Sequence, residues 1–172
     1  MEKNVKVVHV SRSSPGSFEA FLKAFEAQLG RHDPSAYENL LANPNCKTEV
    51  EKVLKGQEGT SGFMIFSTYD HGGLLQIKGG ARKARQYIIG NPLFASEMTK
   101  YDIRSALYAP LRVLLYSEKP GTVTVEYDLA SSLFGQFENE NVNATARDLD
   151  VKMAALLEKS FAAIGPIESK SA

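Results

Sequence analysis

Residues 62–70 alternate so that Phe63, Ile65, Ser67 and Tyr69 fall on one face of an extended chain and Met64, Phe66 and Thr68 on the other. With apolar groups on both faces, the spacing predicts a central strand. Residues 5–10 are few and rich in β-branched side chains, which predicts a first strand. Ser14 and Pro15 then offer an N-cap and a first-turn proline, and Phe18, Phe21, Leu22, Phe25 and Leu29 recur at helical spacing as far as Gly30. Three phenylalanines in that stripe read as core packing rather than a ligand platform. Over residues 31–59 the character changes: His32-Asp33-Pro34 and Asn43-Pro44-Asn45 are turn-like, and short helical patterns occupy 35–41 and 47–54. After the central strand, 74–85 is basic and broken by Gly79-Gly80, 86–89 predicts a short strand ending at Gly90, and Asn91-Pro92 opens a helix reaching Lys100. Residues 112–116 and 122–127 are β-rich and joined by a segment containing Pro120-Gly121, the pattern of a hairpin. Finally Val142, Ala146, Leu149, Met153, Leu156, Leu157 and Ile164 form the apolar stripe of a long helix over 141–164, ended by Gly165-Pro166 and followed by a frayed tail.

That order lacks the regular strand–helix alternation of a doubly wound sheet. It predicts an α+β fold: a mainly antiparallel sheet, helices packed on one face, and a long C-terminal helix closing over it. The chain's 172 residues suit one core, so the expected organisation is a single domain over 1–165 with a helical insertion at about 31–59 and a flexible tail at 166–172. The insertion reads as a lid, an oligomer interface or a connection covering a sheet edge. Twenty Lys and Arg residues balance twenty Asp and Glu, which leaves no global field to draw nucleic acid or an anionic membrane surface. No secretory signal and no membrane-length apolar run is present, so a soluble cytoplasmic protein is expected. Cys46 is the single cysteine, which excludes an internal disulfide and a cysteine-rich zinc site, and its surroundings resemble a helix entry rather than an activated thiol.

Phosphate-loop, nucleophile-elbow and His-Glu-x-x-His patterns are missing, and His9, His32 and His71 lie in separate segments without local metal spacing. No metal and no cofactor is expected. What remains is four clusters: Tyr69-Asp70-His71, Gly90-Asn91-Pro92, Ala109-Pro110-Leu111-Arg112 and Glu126-Tyr127-Asp128. Their order and spacing, with the strands that carry them, resemble the domain of unknown function 302 family. The resemblance runs from about residue 5 to 164 with the insertion set aside, and is most specific over 62–128. It implies a compact α+β fold related to TATA-box-binding-protein-like architectures and a homodimer, and the family carries no established general activity. The chain departs from the family pattern at 31–59, where the family turns quickly, and at 72–85, which is often a short helix.

The candidate chemistry lies in five side chains. His71 can relay a proton near neutrality, or it can form a turn or cap with Asp70. Arg112 opens a buried-looking strand, where a permanent cation needs either an anionic ligand or a carboxylate such as Asp70, Glu97, Glu126 or Asp128. Asn91 can cap the helix that follows it, and the same helix N-terminus can receive an anion or a polarised carbonyl. Tyr127 is an auxiliary acid or a packing anchor. The leading expectation is a small-molecule-binding domain with its pocket between sheet and helices. His71 and Tyr127 are its catalytic candidates, and Asp70, Asn91 and Arg112 bind a small anionic or carbonyl ligand. The alternatives are a cofactor-independent enzyme doing acid/base chemistry on a small carbonyl or acidic substrate, and a dimeric interaction protein without catalysis.

Overall fold

In a computed structural model that describes residues 2–164, the β-rich runs of the sequence join into one six-stranded sheet. Its strands are β1 (His9–Pro15), β2 (Gly30–Arg31), β3 (Met64–Tyr69), β4 (Lys83–Gly90), β5 (Leu111–Ser117) and β6 (Thr122–Asp128), in the order β1-β6-β5-β4-β3-β2. Every neighbouring pair is antiparallel except β2 with β3, so the sheet is mainly antiparallel. The register places Tyr87, Ile89, Leu111, Val113, Leu115, Val125 and Tyr127 on one face, where all are buried. Each such side chain removed from water stabilises the fold by about 1.5–3 kcal/mol, so this face carries the core.

Helices α1 (Phe18–Glu26), α4 (Pro92–Thr99), α5 (Ala130–Phe134) and α6 (Glu140–Ala162) contribute to that core. On α1 the aromatic stripe does pack inward: Phe21 and Phe25 are fully buried, and Phe25 meets the Tyr87 ring edge-on at 5.2 Å. The α6 stripe is buried from Val142 to Leu157, and the Asn139 side chain starts the helix by accepting from the Asn141 and Val142 amides. The expected stop at Gly165-Pro166 and the tail at 166–172 lie outside the described residues. The opposite sheet face carries Arg112, Leu114, Tyr116, Glu126 and Ile88, all partly or fully exposed.

Several boundaries differ from the sequence reading. β1 begins at His9 because its register with β6 runs from His9 opposite Asp128 to Pro15 opposite Thr122. Ser14 and Pro15 are therefore the strand's end, and Ser17 takes the N-cap of α1, its hydroxyl accepting from the Ala20 amide. The preceding β-branched run lies beside α5, with Val8 N donating to Ser132 Oγ at 3.0 Å and Leu129 N donating to Val8 O at 2.9 Å. β4 extends back to Lys83, since pairing with β5 overrides the basic composition there. The glycine-rich segment forms α3 (His71–Leu74) and a 3-10 turn over 75–78, closed by Gly79 at φ 71°. Within 31–59, α2 (Lys47–Gln57) is helical, whereas 34–36 and 38–42 are short 3-10 turns. β2 sits so close to the end of α2 that a Cβ on Gly30 would stand 1.7 Å from the Gln57 carbonyl oxygen, and only glycine permits that approach.

Candidate functional site

β3 runs from Met64, opposite Gly90, to Tyr69, opposite Gln86. Asn91 and the Asp70-His71 pair therefore sit at opposite ends of the β3–β4 ladder, roughly 17 Å apart along the strand. His71 is exposed at the start of α3, with its ring 6.4 Å from that of Tyr69. Asp70 Oδ1 accepts from the Gly73 amide at 2.8 Å, so this carboxylate caps α3. Arg112 pairs with Ile88 on the uncovered face and has no ion pair among the described residues. The expectation of a buried cation is corrected on this point: the side chain is exposed, and water solvates a guanidinium there without a partner. Tyr127 stands opposite Val113 and faces the core, on the other side of the sheet from Arg112, and burial raises its hydroxyl above the usual phenol range. The five candidate side chains do not share a cavity.

Asn91 is buried, and its amide group is fully engaged. Oδ1 accepts from the Leu93 amide at 2.9 Å, while Nδ2 donates to Glu58 Oε1 at 2.8 Å and to the Gly62 carbonyl at 2.9 Å. These bonds tie the start of α4 to the end of α2 and the entry of β3. Beside this cap lies a cavity of about 350 Å³ where the ends of β3, β4 and β5 meet α4, α5 and α6. Phe63, Phe66, Phe94 and Phe134 supply rings to its wall, and Gly90 and Pro110 close one side. A Cβ on Gly90 would stand 3.1 Å from Pro110 Cβ and 3.5 Å from Phe66 Cε2, so a side chain there would crowd this wall.

Two residues of the 31–59 segment complete the cavity, and neither was among the sequence candidates. His32 stacks on Phe66, centroids 4.1 Å apart with 24° between the planes, and its Nε2 lies 2.8 Å from the Tyr37 hydroxyl. The backbone holds the pair in place: His32 N donates to Ile65 O at 3.0 Å, prolonging the β2–β3 ladder. Asp33 and Gln57 exchange two further bonds, at 2.9 and 3.0 Å. Burial lowers the His32 pKa from its ordinary value, against the raising pull of Asp33 and Glu38, and burial raises the Tyr37 hydroxyl. Both groups are therefore neutral near pH 7. Whichever ring nitrogen carries the proton, the Tyr37 oxygen keeps either a proton or a lone pair for a third group. Among the described residues no Asp, Glu, Lys or Arg lines this cavity. His32 was visible in the sequence only as an isolated histidine in a turn. Its stacking partner stands 34 positions away, and no local periodicity signals that contact.

The other recesses have a different chemistry. A wider groove of about 620 Å³ beside Asp70 is lined by Glu19, Arg82, Lys83, Arg85 and Glu118. Two of its three cations are already engaged: Lys83 Nζ lies 2.5 Å from Glu19 Oε1, and Arg85 lies 3.7 Å from Glu26, whereas Arg82 makes no ion pair among the described residues. A third recess of about 450 Å³ holds Arg112 and Asp128, and Asp128 also receives His9 Nδ1 at 2.9 Å. Among the described residues, no group of three or more His, Cys, Asp or Glu side chains is placed to hold a metal ion. None of the described helices is long and apolar enough to cross a membrane.

A family model described as "Domain of unknown function DUF302" matches residues 42–160. The rings of the cavity and Asn91 fall inside that match, whereas His32 and Tyr37 precede it. No curated protein matches the chain. Among solved structures, the crystal structure of an uncharacterized conserved DUF302 protein from Bacillus stearothermophilus superposes with a TM-score of 0.61. It is 16% identical, and the match covers 88% of this chain and 97% of that one. At that identity the likeness concerns the fold.

Proposed function

Because the chain belongs to the DUF302 family, a domain of unknown function, we propose a role from the cavity itself: a small-molecule-binding domain whose site is the aromatic pocket beside Asn91. The observation that carries this reading is the neutral His32–Tyr37 pair set into a wall of phenylalanine rings. Ligand sites characteristically combine an apolar, largely preformed cavity with a few placed polar groups. The Asn91 bonds and the Asp33–Gln57 exchange hold the walls before any ligand arrives. Preorganisation of this kind reduces the ordering cost of binding.

The test is a fragment screen read by thermal shift on the wild-type chain and on Ala95→Phe, which places a ring into the cavity from α4. Fragments that bind the native state raise Tm by mass action. The reading expects a set of fragments that raise Tm in the wild type and lose that effect in Ala95→Phe. Equal shifts in both proteins would place binding elsewhere and reject the pocket.

The uncovered sheet face supports a second element of the proposal, that two copies of the chain associate. Ile88, Leu114 and Tyr116 form an apolar strip on that face, Leu107 at one end is 78% exposed, and the unpaired Arg112 shares the surface with Glu126 and Asp128. A patch bearing both signs of charge can meet its own copy about a twofold axis, and a stable interface requires roughly 800 Å² per partner. Sedimentation should give a dimer that Leu114→Asp converts to monomer, while a monomeric wild-type chain at micromolar concentration would remove this element.

A further inference from the structure

The pocket's lining also limits what it can hold, which deepens the reading above and rests on it. Among the described residues, no charged side chain is in the lining, and the two that border it are held by wall residues, Lys152 over the Phe94 ring at 5.3 Å and Glu58 on Asn91. A charged ligand buried there would therefore lose hydration with no opposite charge lining the cavity to replace it. The start of α4 offers little substitute: Pro92 has no amide hydrogen, and the Leu93 and Ala95 amides are bonded to Asn91 Oδ1 and Asn91 O. Asn91 itself has both Nδ2 hydrogens committed to Glu58 and Gly62. The Ser96 and Thr99 hydroxyls donate to carbonyls of α4, which leaves Tyr37 with His32 as the pair whose capacity to donate or accept is open to a ligand, and it is neutral. The ring-lined wall gives flat surfaces, which an aromatic ligand meets in offset-stacked or edge contacts that an aliphatic chain does not make. A cavity of about 350 Å³ lies toward the small end of ligand sites.

We propose that the ligand is a small uncharged aromatic molecule bearing one hydrogen-bonding group, its ring against the phenylalanine wall and its polar group at the Tyr37–His32 pair. Of the anionic or carbonyl ligand expected from the sequence, this keeps the carbonyl and discards the anion.

The experiment titrates the full chain, by calorimetry or NMR, with naphthol, naphthalene, naphthalenesulfonate and octanol, and repeats each titration on Tyr37→Phe and Ala95→Phe. Naphthol should bind the wild type, bind Tyr37→Phe about fivefold more weakly through loss of one neutral hydrogen bond, and fail to bind Ala95→Phe. Naphthalene should bind the wild type and Tyr37→Phe alike, and naphthalenesulfonate should not bind. If Ala95→Phe does not fold, Ala95→Leu narrows the same cavity with a smaller group and should weaken naphthol. Sulfonate binding as tightly as naphthol, octanol binding more tightly than either aromatic, or no effect of Tyr37→Phe on naphthol would each overturn the ligand class while leaving the pocket standing. Naphthol bound equally well by the Ala95 variants, or no binding by any of the four, would overturn the pocket reading with it.

Discussion

The groove beside Asp70 is the larger recess and the richer in charge, whereas the pocket beside Asn91 is smaller and carries none. In the groove most of the charges are met at the surface: Lys83 meets Glu19, Arg85 meets Glu26, and Asp70 is committed to the Gly73 amide, which leaves Arg82 and Glu118 to water. In the pocket, the His32–Tyr37 pair is set beside rings, and partial burial lowers the His32 pKa. Under the proposed reading, the number of polar groups at a cavity is a poor guide to its capacity for recognition. A polar group whose hydrogen bonds are already made offers a ligand little, and a few groups with capacity left in an apolar wall offer more.

The comparison can be broken most severely at the wall that pocket and core share. Phe63 lines the cavity and is fully buried, so Phe63→Ala should cost about 3–5 kcal/mol in denaturant unfolding. A loss under about 1 kcal/mol would mean that the wall is not part of the packed core. Next comes Asn91→Ala, which removes the cap of α4 and leaves Glu58 and the Gly62 carbonyl without their donor. Removing a cap of this kind costs about 1–2 kcal/mol. An unchanged midpoint would return Asn91 to the role of a free ligand group.

A smaller effect is expected from pH. The folded His32 pKa lies below the unfolded value near 6.5, so the unfolded chain takes the proton first as pH falls. Its contribution to stability is complete above about 6.5 and is lost as pH falls from there through the folded value. His9 acts in the opposite sense: the Asp128 hydrogen bond raises it, so its contribution is present below about 6.5 and lost as pH rises through its folded value. In a His9→Asn background, Tm measured from pH 7.5 to 5 should therefore decline in acid, by a margin that His32→Phe removes while keeping a ring on Phe66. The same decline with and without His32 would contradict its burial in a neutral state. Least affected should be Glu19→Gln, which breaks an ion pair at the mouth of the groove between side chains 55% and 65% exposed. Its Tm should match the wild type, and a large drop would make the groove's charges structural.

Much of the fold could be read from the chain because its signals are local. The hairpin of β5 and β6, the α4 cap at Asn91-Pro92 and the apolar stripe of α6 each rest on a pattern repeated between near neighbours in sequence, and each forms close to where the pattern places it. The start of β1 was misplaced because strand pairing with β6, over a hundred residues away, decides it. The short turns at 103–108 and helix α5 carried no periodicity long enough to declare themselves. Sequence reasoning about the site fixed on polar clusters at strand ends. Of the alternatives the sequence left open, placement selects the cap for Asp70 and Asn91, and it sets Arg112 in water. His32 and Tyr37 acquire their meaning through Phe66, and that contact exists only after the chain has folded.

The pocket holds a natural reporter of its own occupancy. Met98 lines it, whereas Met64 and Met153 are equally buried outside its wall. With methyl-labelled methionine, adding naphthol should shift the Met98 methyl resonance in a saturable way and leave those of Met64 and Met153 in place. A Met98 signal that stays still, or three methyl signals that move together, would contradict a ligand site in this pocket.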